Sequence, residues 1–177
     1  MPIVFNTGKA TIPRIPSQVY SYTNMANVPV LEINKRKVVV NIQQRIGESW
    51  KYIENNCAKN KKCNDYFATL QRNQTLTDIM QKVTFTAHLL APKKDHTDDE
   101  LPLANSAGMD IGFCIFAFID TEKGTENSKE ELAATILHEL AHYAGATTNA
   151  RDTNALAAEN SLIHCGLQRF FSEEHTG

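Results

Sequence analysis

The chain has 177 residues, 42% apolar and 21% charged, with a formal net charge of −2. That length suits one domain with a sizeable core, read here as a single unit over 1–177. The near-neutral balance, with no basic block, argues against nucleic acid as a partner. No apolar run approaches the roughly 20 residues of a membrane span.

Residues 1–27 are rich in Pro, Thr, Asn and Ser, show weak periodicity, and read as an irregular arm. Their start, Met1-Pro2-Ile3-Val4-Phe5, lacks the basic opening and long apolar region of a signal peptide. Val28–Ile33 and Lys37–Val40 are β-prone, and Asn34-Lys35-Arg36 between them can turn a hairpin. Ile42, Ile46, Trp50 and Ile53 then recur at helical spacing, with Cys57 next on the same face. Trp50 reads as core there. A second helix is expected over Asn64–Val83, with Phe67, Leu70, Ile79 and Val83 facing inward. Cys57 and Cys63 bracket a short polar loop of the kind a local disulfide closes. The even cysteine count points to an oxidising destination. No C-x-x-C pair exists, so a cysteine-built zinc site is not expected.

Thr84–Leu90 alternates Phe85, Ala87 and Leu89 with Thr84, Thr86 and His88, as a half-buried strand does. Ala91–Glu100 is a charged loop that matches no EF-hand and reads as solvated. Leu101–Ala107 is a connector. Gly108–Ile119 reads as one strand covered on both faces, and Asp120–Gly124 as a turn.

The chemistry concentrates in the next segment. Ser128-Lys129-Glu130-Glu131 has the form of a capping box, and Gly145 stands where a helix C-cap belongs. Between them runs His138-Glu139-Leu140-Ala141-His142. Four residues is slightly more than one turn, so His138 and His142 project from one face, about 40° apart. Two imidazoles so placed can hold one zinc ion, with Glu139 beside them to take a proton from a water. Beyond Gly145, Asp152-Thr153 offers an N-cap and Asn154–His164 reads as a second helix ended by Gly166. On its wheel Ala155 and Ile163 flank Glu159 closely, with Leu156 and Leu162 a little further round. A carboxylate in the middle of an apolar stripe is expensive unless something binds it. Glu159 is therefore the first candidate for third ligand, with Asp152, His164 and His88 as competitors. Tyr143 reads as packing, and Arg151, His164, Arg169 and His175 stay open as oxyanion donors.

The H-E-x-x-H segment resembles the active-site helix of the zincin metallopeptidases. The downstream Glu resembles that of the gluzincin branch. The resemblance spans roughly 105–166 and, joined to the elements read above, gives an expected single α+β, zincin-like domain: an N-terminal helical pair, a small sheet and two ligand-bearing helices. It implies a zinc metallopeptidase with His138, His142 and Glu159 as ligands and Glu139 as general base. Residues around Asn105–Phe113 would line the cleft and offer backbone hydrogen bonds to a protein or peptide substrate. The same chemistry could serve an amidase acting on peptidoglycan peptides, and the scaffold without turnover would be a binding module. Compact size, paired cysteines and no signal peptide look like the metallopeptidase domains of bacterial toxins and secreted effectors. That likeness implies a non-classical export route to periplasm or target cell, and an immunity protein as partner.

Overall fold

The protein is α+β, seen in a computed structural model that describes residues 3–5, 21–25, 28–33, 36–89, 104–120, 123–147 and 154–173. Its larger sheet joins distant segments. β1 (Ile3–Phe5) runs parallel to β5 (Phe85–Leu89), which runs parallel to β7 (Asp110–Phe113). β6 (Ala104–Ala107) closes the other side antiparallel to β7. β2 (Ser21–Met25), β3 (Val28–Ile33) and β4 (Arg36–Val39) form a separate antiparallel sheet in the order β2-β3-β4. The expected hairpin is the β3–β4 pair, with Ile33 opposite Arg36. The irregular arm is corrected: 1–27 contains β1 and β2. β2 pairs with the adjacent β3, whereas β1 pairs with a strand some eighty residues away, which local composition cannot announce.

α1 (Ile42–Tyr52) begins where Asn41 accepts a hydrogen bond from the Gln44 amide at 3.0 Å, and it continues as a π-helical turn through Cys57. Its apolar stripe is buried as expected: Ile46, Trp50, Ile53 and Cys57 are all 0–1% exposed. The single helix expected over Asn64–Val83 is corrected to two. α2 (Lys61–Thr69) and α3 (Leu76–Lys82) are separated by a turn in which Asn73 has φ 52°. Thr75 restarts the chain by capping the Asp78 amide at 3.1 Å.

The strand expected over Gly108–Ile119 is also broken. After β7 the chain passes Cys114, makes a 3-10 turn over Ile115–Ala117, and forms the short ribbon β8 (Ile119–Asp120) with β9 (Thr125–Glu126). The supposed connector before it contains β6. Asn127 braces this region, donating from Nδ2 to the carbonyls of Phe116 and Ala117 at 3.1 and 3.2 Å.

α4 (Lys129–Tyr143) lies against α1 and the larger sheet. Trp50 and Tyr143 both reach the Phe85 ring, at centroid distances of 5.8 and 5.2 Å. Phe85, Ile111, Phe113, Trp50 and Leu137 are fully buried in this core. Each such side chain contributes about 1.5–3 kcal/mol by leaving water. An exposed pair such as Lys61–Asp65 gives about 0–1 kcal/mol, so apolar packing holds α4 in place.

α5 (Ala157–His164) packs on α4 and α2. Its start is corrected from Asn154 to Ala157, and Leu156 supplies no side-chain cap. The disulfide is corrected too. Cys63 bonds Cys165, 102 residues away, and so ties α2 to the end of α5, whereas Cys57 is a buried thiol. The π turn directs Cys57 into the core, where its Sγ reaches the Cys165 carbonyl at 3.5 Å. Burial pushes that thiol up to about 12. The thiolate needed to exchange with the neighbouring disulfide is therefore scarce at neutral pH. No helix among the described residues is long and apolar enough to cross a membrane.

Candidate metal centre

α4 is built to hold its two histidines still. Ser128 Oγ accepts from the Glu131 amide at 3.1 Å, as the capping pattern predicts. The helix closes at Gly145, φ 105°, where the Gly145 amide donates to His142 O and the Ala146 amide to Ala141 O. That closing turn brings the Ala146 carbonyl back over the helix end, where it accepts from His142 Nδ1 at 3.1 Å. The far side of the turn is docked as well. Arg72 donates from its backbone amide to Ala144 O and from Nε to Tyr143 O, and its guanidinium lies over the Tyr143 ring. Tyr143 is thus a packing residue in this structure.

His138 is 9% exposed, and its Nδ1 faces Glu159 Oε2 at 2.7 Å. The other carboxylate oxygen of Glu159 accepts from the Ser172 backbone amide at 2.9 Å. Glu159 itself is 2% exposed, as its place on the wheel predicts. The stripe is not the one expected, however. Ala158, Glu159, Ser161 and Leu162 face inward, whereas Ile163 is 48% exposed. His164 points away, stacked on Tyr66 at 4.3 Å.

The two imidazoles meet at 76°, with His138 Nε2 and His142 Nε2 3.0 Å apart. Their outer partners decide what those nitrogens carry. A carbonyl and a carboxylate accept and do not donate, so each Nδ1 is the protonated nitrogen of its ring. As neutral Nδ1–H tautomers the two rings would present lone pairs to each other at Nε2. Such a contact calls for a cation between the nitrogens. A proton shared between the rings supplies one, although burial holds the His142 pKa below the usual imidazole range, against the hydrogen bond to Ala146 that raises it. A metal ion meets the same need. Two nitrogens about 2.0–2.1 Å from one tetrahedral zinc lie about 3.3 Å apart, close to the separation found here. The two nitrogens alone match that spacing.

Glu139 is 3% exposed and follows His138 directly on α4. His138, His142 and Glu159 thus meet in one cluster, with His142 half-buried. Yet no three His, Cys, Asp or Glu side chains among the described residues converge as a set able to hold a metal. Two nitrogens converge, and the third expected ligand lies on the outer edge of one ring. The competitor Asp152 falls outside the described residues, as do Arg151, His175, the 91–100 loop and the side chain of His88. Arg169 lies over the Phe170 ring. Sequence reasoning missed the Ala146 carbonyl beside His142, and it named Glu159 without showing that it meets His138 at Nδ1. The first could have been found from Gly145, since the turn after a glycine C-cap returns over the last turn.

A cleft of about 1090 Å³ opens beside His142. Its wall includes Tyr66, Arg72, His142, Tyr143, Ala146 and Asn154. No protein-family model, curated protein or solved structure matches this chain.

Proposed function

We propose that the protein is a zinc-dependent hydrolase of the zincin kind, cleaving peptide bonds. One observation carries the reading: His138 Nε2 and His142 Nε2 stand 3.0 Å apart, each ring with an acceptor at its outer nitrogen. His138 and His142 would hold the ion through Nε2. Zinc, when bound, lowers the pKa of a water toward neutrality and polarises a carbonyl.

The chain's own residues supply the rest. Glu139, next to His138 on a rigid helix, accepts the water's proton and passes it to the leaving amine. The cleft admits an extended segment beside His142. Elsewhere on α4, β6 is an edge strand whose backbone groups could pair with an extended peptide. The Cys63–Cys165 bond supports an oxidising place of action.

The test compares wild type with Glu139→Ala on a peptide library, at matched zinc content. Loss of a general base lowers turnover by about 10²–10⁴-fold, and the variant is expected to keep its zinc. Equal cleavage by the two proteins would overturn the assignment of Glu139.

A further inference from the structure

We infer that Glu159 is a positioning residue for His138 and not the third ligand of the metal; the inference rests on the zinc reading above. Both oxygens of its carboxylate are engaged away from the point where the two Nε2 atoms meet. Oε2 sits on His138 Nδ1 at 2.7 Å, and Oε1 takes the Ser172 amide at 2.9 Å. The two nitrogens of an imidazole point along different directions in the ring plane. An oxygen in contact with Nδ1 therefore lies on the opposite edge from the coordinating nitrogen.

The partner ring supports this assignment. His142 receives the same treatment from a backbone carbonyl, Ala146 O at 3.1 Å, which no one would take for a ligand. The two rings are oriented alike, one by the main chain of α4's closing turn and one by a carboxylate from α5. Each acceptor fixes the proton on Nδ1, leaves the lone pair on Nε2, and stops the ring from rotating. The carboxylate also makes the His138 nitrogen a stronger donor to a cation. Its burial at 2% exposure then needs no metal contact, because two N–H groups satisfy it. The Ser172 amide draws the C-terminal segment into the same device, so the segment after the 3-10 turn Gln168–Phe170 holds Glu159 in place.

The test uses the full oxidised chain with Glu159→Gln, and Glu159→Ala as a second variant, each checked for native helical content by circular dichroism. Cobalt(II) in place of zinc reports the ligand set through its visible absorption spectrum. The expected result is the wild-type spectral shape in both variants, with affinity for the ion lowered about 10–100-fold. In the metal-free wild type, nitrogen NMR is expected to show His138 as the Nδ1–H tautomer with an exchange-protected proton, and Glu159→Ala to lose that protection. A cobalt spectrum that changes to that of a site short of one protein ligand would overturn the inference. So would a His138 Nδ1 that carries no proton in the metal-free wild type. If wild type binds neither cobalt nor zinc, the zinc reading fails, and the positioning role falls with it.

Discussion

Helices α4 and α5 meet at one cluster, but they are held by different means. α4 carries its own instructions: a serine cap, four turns of mostly apolar sequence, and a glycine whose positive φ closes the end. α5 has eight residues and no side-chain cap, so alone it would be marginal. Its place is fixed from outside. The Cys63–Cys165 bond holds its C-terminal end, the Tyr66 hydroxyl donates to the Ala157 carbonyl at its first turn, and the Ser172 amide holds Glu159. The comparison teaches that the two histidines are preset by a locally specified element, whereas the group that orients one of them depends on tertiary anchors.

Removing the anchor of α5 should produce the largest effect. Cys63→Ala with Cys165→Ala releases a constraint between residues 102 apart in sequence. Loops of that size give about 4.7 kcal/mol by chain entropy and about 2–5 kcal/mol in practice. Urea unfolding should show a loss of about 4 kcal/mol, and hydrogen exchange should quicken more in α5 than in α4. Equal quickening in both helices would erase the contrast between them.

A smaller effect should come from the one point where α4 is not self-sufficient. A Cβ added at Gly145 would lie 2.5 Å from Gln71 Cβ, at a φ of +105° that side chains rarely adopt. Gly145→Ala should cost about 2 kcal/mol, in the range of a strained backbone position. It should also disturb the Ala146 carbonyl that orients His142, so zinc affinity should fall together with stability. A variant of full stability and full affinity would show that the turn adapts and that His142 is held by other means.

Ser128→Ala should have the smallest effect, about 1 kcal/mol for a lost N-cap. The cap is ten residues from His138, so stability should fall in the unfolding curve while zinc affinity stays level. A loss of affinity there would mean that fraying at the start of α4 reaches the site.

Much of this could be read from the chain because the signals were local. Ser128, Gly145 and the His138/His142 spacing specify α4 and its two nitrogens within a stretch of eighteen residues. Ile42, Ile46, Trp50 and Ile53 likewise declared their buried face. What failed to show was pairing across distance. Ile3–Phe5 becomes a strand only because β5 lies beside it, and Cys63 had a nearer cysteine than the one it bonds. The break between α2 and α3 rests on Thr75 and Asn73, turn signals inside an otherwise helical stretch. For Glu159 the wheel identified a buried carboxylate correctly, since a charge facing inward needs partners. It could not say which edge of which ring that carboxylate would meet, because this depends on how α5 is seated on α4.

The account turns on whether the facing nitrogens of His138 and His142 hold a metal ion. The most direct test is a zinc titration of the purified, oxidised wild type by calorimetry, set against His142→Ala with unchanged circular dichroism. The account predicts one zinc per chain for wild type and loss of that binding in the variant. A folded wild type that takes up no zinc, or a variant that binds it as tightly, would contradict it.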